Sequence, residues 1–573
     1  MKNALVAQVL ITIADLEEIK GEEAFKAPAY RRAAAYIHKM SEAIEDVARD
    51  GKLQDLPGVG KNIAAKIEEI LERGTTRRLE KLLAEVPSTL LDLLMIEGLG
   101  PKTASRLYRE AGVETLGDLE AALRDGRVAA LKGFGEKRAE GLRRGLQQVS
   151  AREQRYLLAY AHPVAEAIAE SLRACHAGVR AEVAGSVRRR KEAVKDLDIV
   201  VSAPEEGIPE VLSCFKTVEG VASVASDGQT KCSVKLDGGM QVDLRIVAPG
   251  QFASALAHFT GSKEHNTRLR GIARDLGMKI NEYGVFGADD DQPRCEIDGE
   301  EDIYRLLGME YVPPELREDT GEIEAAIEGR LPELLEQEDI KGDLHVHTDW
   351  TDGIDGIKAM AEAGKQRGYE YLAITDHSKA LAFARGLSAE RLSEQGREID
   401  ALNEQIEGIR VLKGIEVDVM VDESLDLPDS VLETCDVVVA SIHSGFRNDE
   451  EQIMRRLESA CKSPHVDIVG HPSGRIIGHR DPYPLDIHRL LDTAARTKTA
   501  IEINASPDRL DITDQQARAA KKAGVRVAIN TDAHSRRGLG DMAFGVSVAR
   551  RGWLEKGDVI NTMSQRDLQE FLR

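Results

Sequence analysis

Cysteine is scarce, and its placement is uninformative for bridging: Cys175, Cys214, Cys232, Cys295, Cys435 and Cys461 are scattered and form no C-x-x-C pair. This excludes a zinc ribbon, argues against a disulfide framework and fits a reducing cytosol. No apolar run reaches membrane-spanning length, so no segment is expected to cross a bilayer. Met1 to Lys20 begins apolar, yet Asp15, Glu17 and Glu18 follow without a small-residue cleavage site. Val6, Leu10, Ile13 and Leu16 recur at helical spacing, which reads as an amphipathic helix rather than a signal peptide. A positive excess is also missing. With 77 Lys and Arg against 99 Asp and Glu, the net charge of -22 taken alone speaks against nucleic acid.

Whole-chain charge misleads in a long protein, because phosphate binding needs only a local positive surface. The 573 residues exceed a single hydrophobic core, and length suggests roughly three to five domains. Hydrophobic content of 42% and charged content of 31% describe an ordinary soluble protein. The charge is segregated. Glu322, Glu324, Glu328, Glu333, Glu336, Glu338 and Asp339 crowd one stretch, while Lys263, Arg268, Arg270, Arg274 and Lys279 crowd another.

Residues 1 to about 150 read as short helices punctuated by glycine hairpins. Strand-like runs follow at 180–185 and 197–202, with a hairpin from 231–236 to 240–247 turning at Asp237-Gly238-Gly239. Residues 251–315 return to helix and short strands, and the acidic stretch to Ile340 reads as a linker. Seven short apolar runs then recur, at 342–348, 371–377, 411–417, 437–443, 466–471, 500–504 and 525–534, with helical patterns between them. Continuous apolar strands alternating with helices imply parallel strands buried on both faces, hence an α/β barrel.

Three segments share one design. They are Leu56-Pro57-Gly58-Val59-Gly60 before Lys61, Ile96-Glu97-Gly98-Leu99-Gly100-Pro101-Lys102, and Leu131-Lys132-Gly133-Phe134-Gly135-Glu136-Lys137. Glycine lets backbone approach a phosphate, and the free N–H groups of the following helix point at it. A single G-x-G merely turns a helix; three copies, each with a basic residue after them, point to DNA backbone contact without sequence readout. The design resembles the helix-hairpin-helix motif.

In the middle of the chain stand Gly185-Ser186-Val187-Arg188-Arg189, Asp196-Leu197-Asp198 and Val242-Asp243-Leu244-Arg245. On a strand Asp196 and Asp198 share a face, and Asp243 on a paired strand closes the set. Three close carboxylates repel unless divalent cations lie among them, and two such ions serve phosphoryl transfer. The glycine–serine turn offers N–H and hydroxyl groups to a triphosphate, with Arg189 as a charge clamp.

These motifs, with Phe259-Thr260-Gly261-Ser262-Lys263-Glu264-His265-Asn266, Ile280-Asn281-Glu282-Tyr283-Gly284 and Pro313-Pro314-Glu315-Leu316-Arg317-Glu318, resemble family X DNA polymerases over residues 1 to about 320. The resemblance implies that Asp196, Asp198 and Asp243 hold two Mg²⁺ or Mn²⁺ ions. It further implies that Gly185, Ser186 and Arg189 meet the triphosphate, while Phe259, Gly261 and Asn266 meet the sugar and base. Lys195, Val194 and His258 depart from the family pattern, where glycine, serine and tyrosine stand in members. The matching position for a 5′-deoxyribose phosphate lyase nucleophile is Lys66, although Asn62 replaces a second basic residue and a surface lysine is the plainer reading.

Polar ligands stand where the last apolar runs end: His345 and His347, Asp352 in the loop, His377, Glu416, His443, His471, Asp532 and His534. Active sites of α/β barrels assemble at that face. His345-x-His347 and Asp532-x-His534 would each present both members on one strand face. Imidazole with carboxylate favours two or three Zn²⁺, Mn²⁺ or Fe²⁺ ions. His176, His265 and His488 fall outside this pattern and read as ordinary histidines. The nine ligands resemble the PHP (polymerase and histidinol phosphatase) domain over 341–573. That likeness implies metal-assisted hydrolysis of phosphate esters, as a 3′→5′ exonuclease or at abasic sites, with Asp376 orienting its neighbour.

The expected architecture is multidomain α/β and α+β. It comprises a helical DNA-binding region (1–90), a helix-hairpin-helix region (91–150), a nucleotidyltransferase palm (151–250), a thumb (251–318), an acidic linker (319–340) and a distorted (β/α)7 PHP barrel (341–573). The expected enzyme is a cytoplasmic, nucleoid-associated monomer that fills short gaps in damaged DNA with dNTPs and cleans 3′ ends. Two other readings stay open: chiefly a nuclease with a weak palm, or a scaffold that bridges DNA ends.

Overall fold

The computed structural model describes residues 3–21, 26–40, 42–94, 96, 98–151, 155–288 and 292–572. Glu97 of the second hairpin lies outside them. The N-terminal helix α1 (Asn3–Lys20) follows its apolar spacing, with Val6, Leu10, Ile13 and Leu16 fully buried. It packs on α2 (Ala27–Lys39), and one continuous core runs from Val6 to Leu146. The three glycine motifs precede α3 (Lys61–Arg73), α4 (Pro101–Ala111) and α5 (Gly135–Ala151). Gly58, Gly98 and Gly133 all sit at φ near +80°, a conformation L side chains rarely adopt. Gly60 and Gly100 are the N-caps of α3 and α4, so in those two copies the pattern reflects a left-handed glycine followed by a helix start.

After α6 (Leu158–Cys175) comes a five-stranded sheet of β1 (Arg180–Val183), β2 (Asp196–Ser202), β3 (Val221–Asp227), β4 (Lys231–Leu236) and β5 (Gln241–Val247). Its order is β1-β2-β5-β4-β3, with β2 and β5 parallel and β4 and β5 a hairpin. One face buries α6 and α7 (Ile208–Lys216), and the other meets α8 (Phe252–Thr260). The strand expected to run to Gly185 ends at Val183, because Gly185 opens a helical turn through Arg188. The expectation of unpaired cysteines is corrected here. α6 and α7 lie side by side and join Cys175 to Cys214 in a disulfide, 39 residues apart, a proximity that spacing along the chain does not reveal.

Following α9 (Lys263–Asp275), Leu269, Tyr304, Leu307 and Val312 build a small core that also takes in Ile323 and Ala326 of the acidic stretch. That stretch is therefore docked: Glu322 is fully buried, and Leu335 joins the core of the barrel that follows. The barrel strands are β6 (Gly342–Val346), β7 (Tyr371–Ile374), β8 (Arg410–Asp418), β9 (Val437–Ser441), β10 (Ile468–Val469), β11 (Ala500–Asn504) and β12 (Val527–Asn530). All pair in parallel in chain order, and a bridge from Val346 to Ala533 nearly closes the ring. Leu344, Ala373, Leu412, Val439 and Ile468 fill an inner core, while the other strand face packs on the surrounding helices. Burial on both faces explains the unbroken apolar runs.

Candidate metal centres

Register assembles the first centre. In the parallel pair β2–β5, Asp198 lies directly opposite Asp243, and Asp196 stands two residues earlier on the same face. Burial, together with Asp196 and Asp243, pushes the Asp198 carboxyl up to about 7. Asp243 is steadied by two groups that motif reading did not single out: Ser233 Oγ donates to Oδ1 at 2.5 Å and Gln241 Nε2 at 3.1 Å. Ser233 pairs with Asp243 across the hairpin, so strand register was the signal for it.

Gly185 admits no side chain. Its φ is +59°, and a Cβ there would stand 2.1 Å from Asp198 Oδ2. Beside it opens a cavity of about 390 Å³ whose lining includes Gly185, Ser186, Arg189, Phe259, Gly261 and Asn266 as well as Asp196 and Asp198. Lys263 and Arg270 add positive charge to its wall. Arg189 is partly engaged, its Nε donating to Glu318 at 3.0 Å and one Nη to the Thr260 carbonyl. Asn266 donates to the His258 carbonyl at 2.7 Å. Behind the turn, the buried Glu300 receives the half-buried Arg188 at 2.5 and 3.0 Å and the fully buried Arg317 at 2.7 Å.

His265 keeps its ordinary role, with ring nitrogens 2.7 Å from Glu322 Oε1 and 3.0 Å from the Tyr304 hydroxyl. The hairpin lysines Lys61, Lys102 and Lys137 are exposed. Lys66 donates to the Asn62 carbonyl at 3.2 Å and lies 5.8 Å from the centre of the Tyr30 ring. Burial, Arg78 and Lys26 lower its pKa from the ordinary lysine value.

The second centre lies at the carboxyl ends of the barrel strands. Three groups of ligand atoms each converge within 4.8 Å: His347, Asp352, His377 and His534; His345, His347 and Asp532; and His377, Glu416 and His443. His471 Nε2 lies 3.0 Å from Glu416 Oε1, so all nine residues form one constellation. His345 and Glu416 are on strands, whereas His347, His377, His443 and His471 follow strand ends. The expectation that Asp532 and His534 alternate on a strand is corrected. β12 ends at Asn530, and Asp532 has φ +55°, so a loop turn aims this pair.

Unpaired polar atoms mark this mouth as fit for metal ions. His345 Nε2, His347 Nδ1, Asp352 Oδ1 and His471 Nδ1 are buried with no hydrogen-bond partner. Buried polar groups are normally satisfied, so such a concentration of lone pairs suits cations. Burial, with His534 and His377, lowers the His347 imidazole to about 3, which keeps it neutral with one ring nitrogen able to ligate. Burial opposes charge on His345 as well, but Glu502, Glu416 and Asp532 hold it well above the ordinary value.

Glu502, hidden inside an apolar strand run, was missed by motif reading. It accepts from His345 Nδ1 at 2.8 Å, the His471 N–H at 2.7 Å and Asn530 at 2.9 Å, which aims His345 Nε2 inward. A carboxylate in the one run without an assigned ligand was the available signal. Asp376 accepts from Thr348, Thr351 and Gln395 and so braces the strand end beside His377.

Family models agree with this anatomy. A helix-hairpin-helix domain matches 1–76, a SAM-like helix-hairpin-helix tandem 90–148, the DNA polymerase beta thumb 255–318 and the PHP domain 343–506. A protein of Bacillus subtilis (strain 168) named DNA polymerase/3′-5′ exonuclease PolX is 41% identical over 570 residues, covering 99% of each chain. A probable phosphatase of Thermoanaerobacter sp. (strain X514) is 31% identical over 242 residues, 40% of this chain and 94% of its own. Another, from Caldanaerobacter subterraneus subsp. tengcongensis, is 33% identical over 206 residues, 34% of this chain and 75% of its own. With both centres present and the match running end to end, the chain belongs to the PolX family of family X DNA polymerases that carry a PHP domain.

Proposed function

We propose that this chain is a DNA polymerase that fills short gaps and a 3′→5′ exonuclease that trims the same ends. The observation that carries the reading is the presence of two separate metal-competent centres: an aspartate set beside a basic-walled cavity, and nine ligands at a barrel mouth. The working units are 1–90 and 91–150, which share a core, the palm 151–250, the thumb 251–318, the docked acidic stretch 319–340 and the PHP barrel 341–573.

In the palm, Asp196, Asp198 and Asp243 hold two Mg²⁺ or Mn²⁺ ions; at the barrel mouth, the nine ligands hold two or three Zn²⁺, Mn²⁺ or Fe²⁺ ions. Divalent cations held there would supply acidification of an attacking hydroxyl or water and charge neutralisation on the leaving oxygen. Ser233 and Gln241 hold the Asp243 carboxylate in orientation, and Gly185 keeps space open beside Asp198. The N–H groups of the Gly185–Arg188 turn and the Ser186 hydroxyl bind the dNTP triphosphate, and Arg189 turns from Glu318 to share its charge. Phe259, Gly261 and Asn266 seat the sugar and base. At the barrel, Glu502 fixes the His345 ring so that Nε2 faces the cations, and Asp376 braces the neighbouring loop. Gly58, Gly60, Gly98, Gly100, Gly133 and Gly135, with Lys61, Lys102 and Lys137, grip the backbone of gapped DNA without reading its sequence. The enzyme works as a monomer in the cytoplasm, at the nucleoid where this DNA lies.

The test is a labelled gapped duplex with Mn²⁺. Extension when dNTPs are supplied and 3′ shortening when they are withheld support the reading; shortening without extension leaves only a nuclease. The lowered pKa of Lys66 favours a further lyase role. Borohydride should trap the chain on 5′-deoxyribose phosphate ends, and Lys66→Ala should abolish that adduct; an undiminished adduct refutes the role.

A further inference from the structure

The N-terminal helical region reaches the mouth of the barrel. Lys39, the last residue of α2, places Nζ 3.6 Å from Asp352 Oδ2. That carboxylate belongs to the ligand set: its oxygens lie 3.2 Å from His534 Nε2 and 3.5 Å from His377 Nε2. The loop is held in place, since Ile354 packs against the N-terminal core. Tyr36, almost one turn before Lys39, is partly buried, and burial together with the charge of Asp355 raises its phenol above the ordinary value.

The Lys39–Asp352 contact is a poor staple. Both side chains are partly exposed, at 39% and 28%, and exposed pairs at such a distance contribute little stability. An ammonium beside a cation centre would also repel ions bound there. An anionic substrate resolves that conflict, because it completes the charge balance between the ammonium and the cations. A source for the anion lies on the same helix. The first hairpin rests on α2, with a Cβ at Gly58 standing 3.4 Å from the Ala33 nitrogen. Lys39 is six residues further on, about 9 Å along the axis at 1.5 Å per residue. That separation spans only a few nucleotides of a strand.

We propose that Lys39 is a substrate-positioning residue of the barrel centre: it binds a backbone phosphate of the strand that passes from the first hairpin to the metal ligands. The inference rests on the nuclease reading of that centre. The DNA-binding region thus supplies part of the nuclease site, and the chain selects strands long enough to occupy both.

The test uses the full chain with Mn²⁺ and a labelled single-stranded oligonucleotide, comparing Lys39→Ala, Lys39→Glu and Lys39→Arg. The KM for 3′ digestion should rise about tenfold in Lys39→Ala, the scale of one lost charge-assisted contact, and further in Lys39→Glu. Lys39→Arg should restore it. In all three, kcat should stay within about twofold, and Mn²⁺ content by elemental analysis and gap extension should be unchanged. Unchanged KM throughout, or kcat and Mn²⁺ content falling together, would overturn the proposal; the latter would make Lys39 a prop for Asp352. Absence of 3′ digestion by the unaltered chain would overturn the nuclease reading itself, a distinguishable failure.

Discussion

Replacing Glu300 by glutamine should loosen the joint between the Gly185–Arg188 turn and the thumb. Glu300 receives Arg188 from that turn and the fully buried Arg317 at 2.7 Å. Burial alone would raise its pKa, but Arg317 and Arg188 hold it down to about 2, against an ordinary 4.5. A difference of that size corresponds to about 3 kcal/mol of folded-state stabilisation, within the ~3–5 kcal/mol lost when one partner of a buried pair is removed. The sign follows from the depressed value: the stabilisation is complete above about 4.5 and disappears as pH falls through about 2. Hydrogen exchange is the assay, because a multidomain chain lacks a single unfolding equilibrium. At neutral pH, Glu300→Gln should speed exchange at Ile303 and Leu316 about a hundredfold, the factor that ~3 kcal/mol implies. The gap from the unaltered chain should narrow as pH is lowered below 4.5. Unchanged exchange, or a difference indifferent to acid, would refute the reasoning.

Gly185→Ala should abolish gap extension while sparing 3′ digestion, because the new Cβ would overlap Asp198 at a backbone φ of +59°; primer-extension and digestion assays on one preparation decide it. Glu502→Gln should weaken metal binding at the barrel about 10- to 100-fold, the usual effect of removing a partner of a ligating histidine, with extension intact. Equilibrium dialysis with Mn²⁺ measures this. Because Asp198 is pushed up to about 7 and must lose its proton to bind a cation, palm affinity for Mn²⁺ should rise with pH to about 7 and then level. Calorimetry on the unaltered chain with Asp196→Ala/Asp198→Ala as the blank assigns the heat to that site, and an affinity flat from pH 6 to 8 would contradict the assignment.

Features with a fixed period were legible in the sequence. Continuous apolar runs and helical patterns gave the barrel, since parallel strands buried on both faces tolerate little else. The placement of Asp198 opposite Asp243 followed from strand alternation and pairing. Features created by packing were not legible. Glu502 hid in an apolar run, because a fully buried carboxylate with four donors reads locally like any strand residue. Cys175 and Cys214 meet only because two helices share a groove. Glu322 sat in an acidic stretch expected to be a linker, yet His265 and two backbone N–H groups bury it. Lys39 and Asp352 are 313 residues apart, and the approach of two domains alone brings them together.

Two independent centres sharing one chain must fail separately. The most direct measurement assays extension and 3′ digestion of one gapped duplex by the unaltered chain, by Asp196→Ala/Asp198→Ala and by His345→Ala/His347→Ala. The first double variant should lose extension and keep digestion, while the second should do the reverse. If both variants lose the same activity, the two centres are not independent and the claim is contradicted.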